Sequence, residues 1–237
     1  MKNTLNFVLA ILLTSISFGQ INESAYSKML DASITADQYF ELYGISDEDL
    51  KNIVGSPYDV TRFQLGNIYK NDKIVAPNIP MRYNIFSDEI EINTSQVSQK
   101  ENINNLSKST DVFVSIANEV YVFIENIAKK EESGYFKVIV EGSHFDLYKK
   151  SSVTYIKKKF AETNYQQDQP ARFNREDTFF LINKQGDFFE IPTKKKSFLT
   201  IFKQHNKEIH SFIKDNKLDI KNENHLAKII KYFNTLI

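Results

Sequence analysis

The chain has no cysteine and no tryptophan, only 7 glycines and 5 prolines in 237 residues, and no excess of either charge. Without cysteine there are no disulfides, no thiolate metal site, no cysteine nucleophile and no lipobox for a lipoprotein anchor. So few glycines rule out a collagen-like or flexible-linker chain. With 30 basic and 30 acidic residues, the balance does not favour nucleic acid or an anionic membrane surface, both of which call for a clustered basic excess. Neither a phosphate loop nor a dinucleotide fingerprint occurs. After the first 20 residues no run approaches the roughly 20 apolar residues of a membrane helix.

What the chain does have is apolar bulk, supplied largely by 19 Phe and 12 Tyr, on a length sufficient for one β-rich domain with a real core. Met1 to Gln20 reads as a secretory leader. Lys2 is the positive start, Phe7 to Leu13 the short apolar stretch, and Ser17 and Gly19 are the small residues before the cleavage point. The expected mature protein is therefore exported, periplasmic or extracellular, with no transmembrane segment and no lipid anchor. Charge is distributed unevenly: residues 21–100 carry 7 basic and 12 acidic side chains, residues 101–237 carry 22 and 18. We read this as scatter.

Gly55 to Ile92 is the stretch around which the chain is organised. Asn71-Asp72 is a two-residue hairpin signal that sets Tyr69 opposite Ile74 and Ile68 opposite Val75. A second turn at Ser87-Asp88 places Ile85 opposite Ile90 and Tyr83 opposite Ile92 on a core face. Asn84 and Glu91 then share the watery face, with Arg82 diagonally across from Glu91. Gly55, Pro57, Tyr58, Arg82, Tyr83 and Asn84 form the structural motif of the region. The combination of Gly55-Ser56-Pro57-Tyr58 with Arg82-Tyr83-Asn84-Ile85, an acidic turn and Glu-Ile resembles a signature of uncharacterised exported proteins of Bacteroidota. The likeness extends from about Leu50 to the C-terminus. It implies export and one continuous fold, and implies no activity.

Residues 21–54 read as a polar lead-in with short helices, one at Glu23 to Leu30 and one capped by Ser46. Thr94 to Thr110 is the longest polar break. Val112 to Val114 and Val120 to Ile124, around a turn at Ala117-Asn118, are continuously apolar and predict strands covered on both faces at the sheet's centre. The next hairpin, Tyr135 to Lys150, turns at Gly142-Ser143. Its register puts Phe136, Val138, Val140, Phe145 and Leu147 on one face, and Lys137, Glu141, His144, Asp146 and Tyr148 on the other. Val153 to Ile156 predicts a further strand, Ala161 to Arg175 a second loop, and Thr178 to Ile182 with Phe188 to Ile191 a last hairpin ended by Pro192. From Thr193 the period changes to 3.6, with apolar stripes at Phe198, Ile201 and Phe202, at Ile209, Phe212 and Ile213, and at Leu226, Ile229, Ile230 and Phe233. Asn206 and Asn222 are the expected N-caps.

The predicted fold is thus α+β and mainly antiparallel. A meander of hairpins over residues 55–192 forms a curved or partly closed sheet of nine or ten strands. Two or three C-terminal helices, residues 193–237, pack on it in the same domain.

Candidate chemistry is sparse. Glu141, His144 and Asp146 set an imidazole between two carboxylates, which could hold a proton or a metal. One hairpin lacks the further ligands that zinc requires, so a solvated salt pair is the better description. His205 and His210 are five apart and lie on different helix faces, and His225 stands alone. Ser56 and Ser143 follow glycines but lack a nucleophile elbow. Lys149, Lys150 and Lys157 to Lys159 interleave with Tyr148, Tyr155 and Phe160, a pattern of either a polyanion track or lysine-guarded edge strands, and we take the latter. No cofactor and no metal are expected. These readings lead to a non-catalytic exported protein with a binding or envelope-structural role, its partner an envelope protein or an apolar ligand. The alternatives are a periplasmic carrier of a lipid between sheet and helices and, less favoured, a hydrolase.

Overall fold

The computed structural model describes residues 28–31, 35–94, 102–125, 133–161, 163 and 166–237. Eleven antiparallel strands form one open sheet: β1 (Leu30–Asp31), β2 (Gln64–Lys70), β3 (Lys73–Asn84), β4 (Glu89–Asn93), β5 (Ile103–Leu106), β6 (Val112–Ile116), β7 (Glu119–Ile124), β8 (Gly134–Val140), β9 (Phe145–Ile156), β10 (Arg172–Asn183) and β11 (Phe188–Glu190). Their spatial order is β1-β5-β4-β3-β2-β6-β7-β8-β9-β10-β11. The meander therefore consists of two runs, β2 to β5 and β6 to β11, growing in opposite directions from the β2–β6 pair. The expected α+β meander is present, and β6 and β7 lie at its centre as expected, but they are not covered on both faces: Val112, Val114, Ile116 and Tyr121 are buried on one face, while Phe113, Ser115, Val120 and Val122 on the other are only partly covered.

Turn chemistry fixes the first hairpin. Asn71 and Asp72 both adopt positive φ, as a two-residue turn matched to strand twist requires. Tyr69 pairs with Ile74 as expected, but Ile68 pairs with Ala76 instead of Val75, because a bulge follows immediately. A second irregularity lies between Gly66 and Ile68. There Asn78 takes a positive φ, and its N–H donates to Asn67 Oδ1 at 3.0 Å. The bulges accommodate Pro77 within β3, which runs unbroken through both hairpins.

The second turn is longer than two residues. Tyr83 pairs with Ile90 and Met81 with Ile92, two residues off the predicted register, and Arg82 lies directly opposite Glu91. A shift of two preserves the faces. The watery face expected for Asn84 and Glu91 is overturned, however, since both are fully buried.

A larger correction falls on β8. A register irregularity between Val138 and Val140 puts Val140 opposite Leu147 while Lys137 faces Lys149 and Val138 faces Tyr148. Phe136 and Val138 thus lie on the face opposite to Val140 and Leu147, and Lys137 joins the core-bearing face. Val153 to Ile156 continues β9, and β10 begins at Arg172, inside the segment read as a loop.

One sheet face carries both apolar cores. Following the register from β3 to β10 places Met81, Tyr83, Ile68, Val114, Tyr121, Lys137, Lys149, Ser151, Val153, Phe173 and Asp177 on it. The first core joins β2 to β7 with α1 (Ala36–Leu42) and α2 (Asp47–Asn52), and takes in Val153 and Phe173 from the far ends of β9 and β10. The segment read as a polar lead-in buries Phe40 and Ile45 there. Both helices open with a capping box, Thr35 with Gln38 and Ser46 with Asp49. Phe86 meets the rings of Tyr39, Phe40, Tyr43 and Phe173, so the sheet curls far enough for β10 to reach the β3–β4 turn.

The second core lies over β8 to β11. It packs Val140, Leu147, Leu181 and Ile191 against α3 (Lys195–Thr200), α4 (Asn206–Asp215) and α5 (Glu223–Asn234), with a 3₁₀ turn, Lys203–His205, between α3 and α4. The predicted stripes all face inward. Asn222 caps α5 through His225 N–H, whereas Asn206 is the first residue of α4 and provides no side-chain cap. Among the described residues no helix is long and apolar enough to cross a membrane.

Candidate functional site

Two polar constellations stand out, and the first is the central motif itself. Val54 to Asp59 forms a strap between distant parts of the sheet. Val54 N–H donates to Ala171 O at 3.0 Å and Val54 O accepts from Phe173 N–H at 2.9 Å. At the other end Asp59 N–H donates to Tyr83 O, and Pro57 O accepts from Ile85 and Phe86 N–H. Gly55 makes this passage possible, because its φ is +91° and a Cβ there would lie 2.7 Å from Phe173 O. Pro57 and Tyr58 thus arrive beside Asn84.

Arg82 fills the space below the strap. Its guanidinium lies 3.9 Å from the Tyr58 ring centroid and 4.3 Å from that of Phe63. It donates to Glu91 Oε2 at 2.6 Å, to the Tyr58 hydroxyl at 3.0 Å and to Thr61 O at 3.0 Å. Asn84 Nδ2 donates to the other Glu91 oxygen at 2.8 Å, while its Oδ1 accepts from Phe86 and Ser87 N–H and shapes the turn. Tyr83, on the opposite face, donates to Asp88 Oδ1 at 2.7 Å. Pro57, Tyr58, Arg82 and Asn84 therefore meet in one joint, to which Gly55 delivers the strap and Tyr83 contributes its backbone carbonyl.

The second constellation is a belt of charge between the two cores. Lys137 binds Glu119 at 2.7 Å and Glu223 at 3.2 Å, and Lys149 binds the other oxygen of Glu223 at 2.6 Å. Arg175 binds Asp59 at 2.7 Å and Asp177 at 2.9 Å, and reaches Ser151 Oγ at 3.1 Å. Ser151 donates to Asp177 at 2.7 Å, and Tyr121 to Asp59 at 2.6 Å. Glu223 also occupies the first turn of α5, where the helix dipole favours a carboxylate. The belt thus ties the tail's last helix to β7, β8, β9 and β10.

Burial opposes ionisation in this belt, and the partners outweigh it. Hydrogen bonds from Tyr121 and Arg175 hold Asp59 below the ordinary carboxylate range. Ser151, Arg175 and Lys149 do the same for Asp177, as do Lys149 and Lys137 for Glu223. Lys137 and Arg175 are raised by their carboxylates against the same burial. Fixed charges of this kind are poor proton donors and acceptors near neutrality. Among the described residues no buried side-chain nitrogen or oxygen lacks a hydrogen-bond partner.

Asp88 and Glu89 differ. Burial raises both carboxyls, and Lys108, 2.7 Å from Glu89 and 3.9 Å from Asp88, offsets it only in part. Asp88 Oδ1 also accepts from Tyr135 N–H at 3.1 Å, joining the β3–β4 turn to β8.

Glu141, His144 and Asp146 do not assemble into a centre. Glu141 and His144 are exposed in the loop between β8 and β9. Asp146 Oδ1 accepts from Lys184 at 2.8 Å and from Gly142 N–H at 2.9 Å. The His144 ring lies 3.0 Å from the Ser143 hydroxyl, and its backbone N–H donates to Asn234 Oδ1. His225 accepts from Asp219 N–H, and His205 lies 3.9 Å from Glu208. No group of three His or acidic side chains able to hold a metal occurs among the described residues. Ser56 braces the strap by accepting from Tyr58 N–H. Nor does the lysine run guard an edge at Lys149 and Lys150, since β9 lies between β8 and β10.

Sequence reasoning missed the belt because Arg175 and Asp177 fell in or beside a supposed loop. The alternation Phe173, Arg175, Asp177, Phe179 was the available signal. No family model, no curated protein and no solved structure matches the chain.

Proposed function

We propose that this is a non-catalytic exported protein acting by binding or as a structural component of the envelope. The observation that carries the reading is the belt, the largest assembly of ionisable groups described. Its acids and bases are matched at 2.6 to 3.2 Å, and Asp59, Asp177, Glu223, Lys137 and Arg175 are shifted away from neutrality, the reverse of what general acid–base work requires. Its position suits a latch between sheet and tail. Export rests on the leader pattern of residues 1–20.

A lipid carrier would need an apolar cavity between the sheet and the helices. That interface is occupied by Phe198, Phe202, Ile209, Leu226, Ile229 and Ile230 against Leu147 and Leu181, all essentially inaccessible to solvent, which favours the binding or structural role over the carrier. The test is incubation with ester, glycoside and phosphoester substrates beside Asp177→Asn and Glu223→Gln variants. The expected result is no turnover that either substitution abolishes. Turnover lost in one of them while the fold persists would identify an enzyme.

A further inference from the structure

The strand β11 ends the sheet, with β10 as its one neighbouring strand among the described residues. Its register sets Glu190 opposite Phe180, Phe189 opposite Leu181 and Phe188 opposite Ile182. Ile191 N–H donates to Phe179 O at 2.8 Å, and Asp187 O accepts from Asn183 N–H at 3.2 Å, so the odd-numbered residues turn their backbone groups toward β10. By the alternation of an antiparallel strand, the N–H and C=O of Phe188 and Glu190 then point away from the sheet. Phe189 shares the core-bearing face with Leu181, yet it is 45 % exposed, and Phe188 on the opposite face is 40 % exposed. An open edge is ordinarily guarded by lysine, proline, a bulge or brevity. Phe188-Phe189-Glu190 offers only the last.

We propose that this edge pairs with the same edge of a second copy, antiparallel about a two-fold axis at Phe189. The edge itself selects that register. Centred on Phe189, Phe188 exchanges backbone hydrogen bonds with Glu190 of the second copy, the symmetry repeats the exchange, and all four outward groups find partners. Centred on Glu190, two carboxylates would lie face to face and Phe188 would meet Pro192, which has no N–H. Centred on Phe188, Glu190 would fall opposite Gly186, whose N–H already donates to Asn183 O at 3.0 Å.

Charge agrees with this choice. Asp187 comes to lie opposite Ile191 of the second copy, beside the start of its exposed run Lys194 to Lys196, while Lys184, the cation of the same turn, is held by Asp146 at 2.8 Å. A two-fold axis perpendicular to the sheet keeps like faces together, so the two Phe189 rings meet on the core-bearing face and cover each other. A contact three residues long is small against the roughly 1,200 Å² of a stable specific interface. The dimer is therefore weak, with a dissociation constant of about 10 µM to 1 mM, and the dilute chain is monomeric. This pairing goes beyond the role proposed above and does not depend on it.

Sedimentation equilibrium of the protein recovered from a bacterial periplasm, from about 10 µM to 1 mM, is expected to show a reversible monomer–dimer equilibrium. Glu190→Pro removes an outward N–H, and Phe189→Lys sets two ammonium groups at the axis. Each, checked for fold by circular dichroism, is expected to weaken the dimer about tenfold or more. The chain has no cysteine, so a single introduced thiol reads the register. At the non-hydrogen-bonded position on the axis the two Cα atoms of residue 189 lie about 4.5 Å apart, within disulfide reach. Phe189→Cys should therefore oxidise to a covalent dimer about tenfold faster than Phe188→Cys. A chain that stays monomeric at about 1 mM overturns the pairing and leaves the edge to a foreign strand. A dimer unchanged in both Glu190→Pro and Phe189→Lys, or faster cross-linking at Phe188 than at Phe189, overturns it as well.

Discussion

Removing the Arg82 side chain would leave the Glu91 carboxylate fully buried with Asn84 Nδ2 as its remaining described donor. Breaking a buried pair from one side typically costs about 3–5 kcal/mol, because the other charge stays behind without compensation. Arg82→Ala is therefore expected to lower unfolding stability by an amount of that order in urea denaturation. Arg82→Lys should fall between the two, since an ammonium cannot serve Glu91, the Tyr58 hydroxyl and Thr61 O in one plane while stacking on two rings. A loss below about 1 kcal/mol in Arg82→Ala would mean that the strap holds without its guanidinium. The residues of this joint were legible in the sequence, because Gly-Ser-Pro-Tyr and Arg-Tyr-Asn-Ile are unusual local choices. Burial of the polar face was not, because the strap that covers it comes from a different part of the chain.

At the scale of elements, the C-terminal helix is fastened at both ends. Glu223 ties its start to Lys137 and Lys149. Asn234 ties its end to the β8–β9 loop: its Oδ1 accepts from His144 and Phe145 N–H at 2.9 Å, and its Nδ2 donates to Phe145 O and Ile230 O. Truncation by Asn234→Ala should cost about 1–3 kcal/mol through the backbone groups left unpaired. Hydrogen exchange should quicken in α5 and residues 141–145 while amides of β2 to β4 keep their protection, and uniform quickening across the sheet would contradict this separate attachment. Most element types were readable from hydrophobic period, with Asn71-Asp72 and Ala117-Asn118 marking turns. The register and facing errors share one cause. Bulges at Ile68 and between Val138 and Val140 change which face a residue takes without leaving a composition signal, so Phe136, Val138 and Lys137 were assigned to the wrong sides. Arg172 to Arg175 fell in the segment read as a loop because Arg175, although it faces inward, is charged, and its partners Asp59, Asp177 and Ser151 lie outside that segment.

For the whole molecule, two sets of carboxylates set opposing pH dependences. Asp59, Asp177 and Glu223 have depressed native pKa values. The stability they add is complete above the unfolded-state value of about 4 and is lost as pH falls through the native values. Asp88 and Glu89 are raised by burial. Their contribution is complete below about pH 4 and is lost as pH rises through the native values. Asp88→Asn should therefore flatten the decline in stability toward neutral pH, and Asn tolerates the positive φ at this position. Asp177→Asn should flatten the acid limb instead. Urea midpoints across pH check both, and an unchanged slope above about pH 4 in Asp88→Asn would refute the assignment. None of this coupling was visible in sequence, since Asp88 meets Tyr135 only through the curl of the sheet.

The account stands or falls on an interior that is already full and a charge belt that already has its partners. Native against denaturing mass spectrometry on the protein recovered from a periplasm measures this directly. We predict the same mass, that of the bare polypeptide, in both spectra. A lipid-sized adduct present in the native spectrum and lost on denaturation would contradict it and make the helices the lid of a carrier.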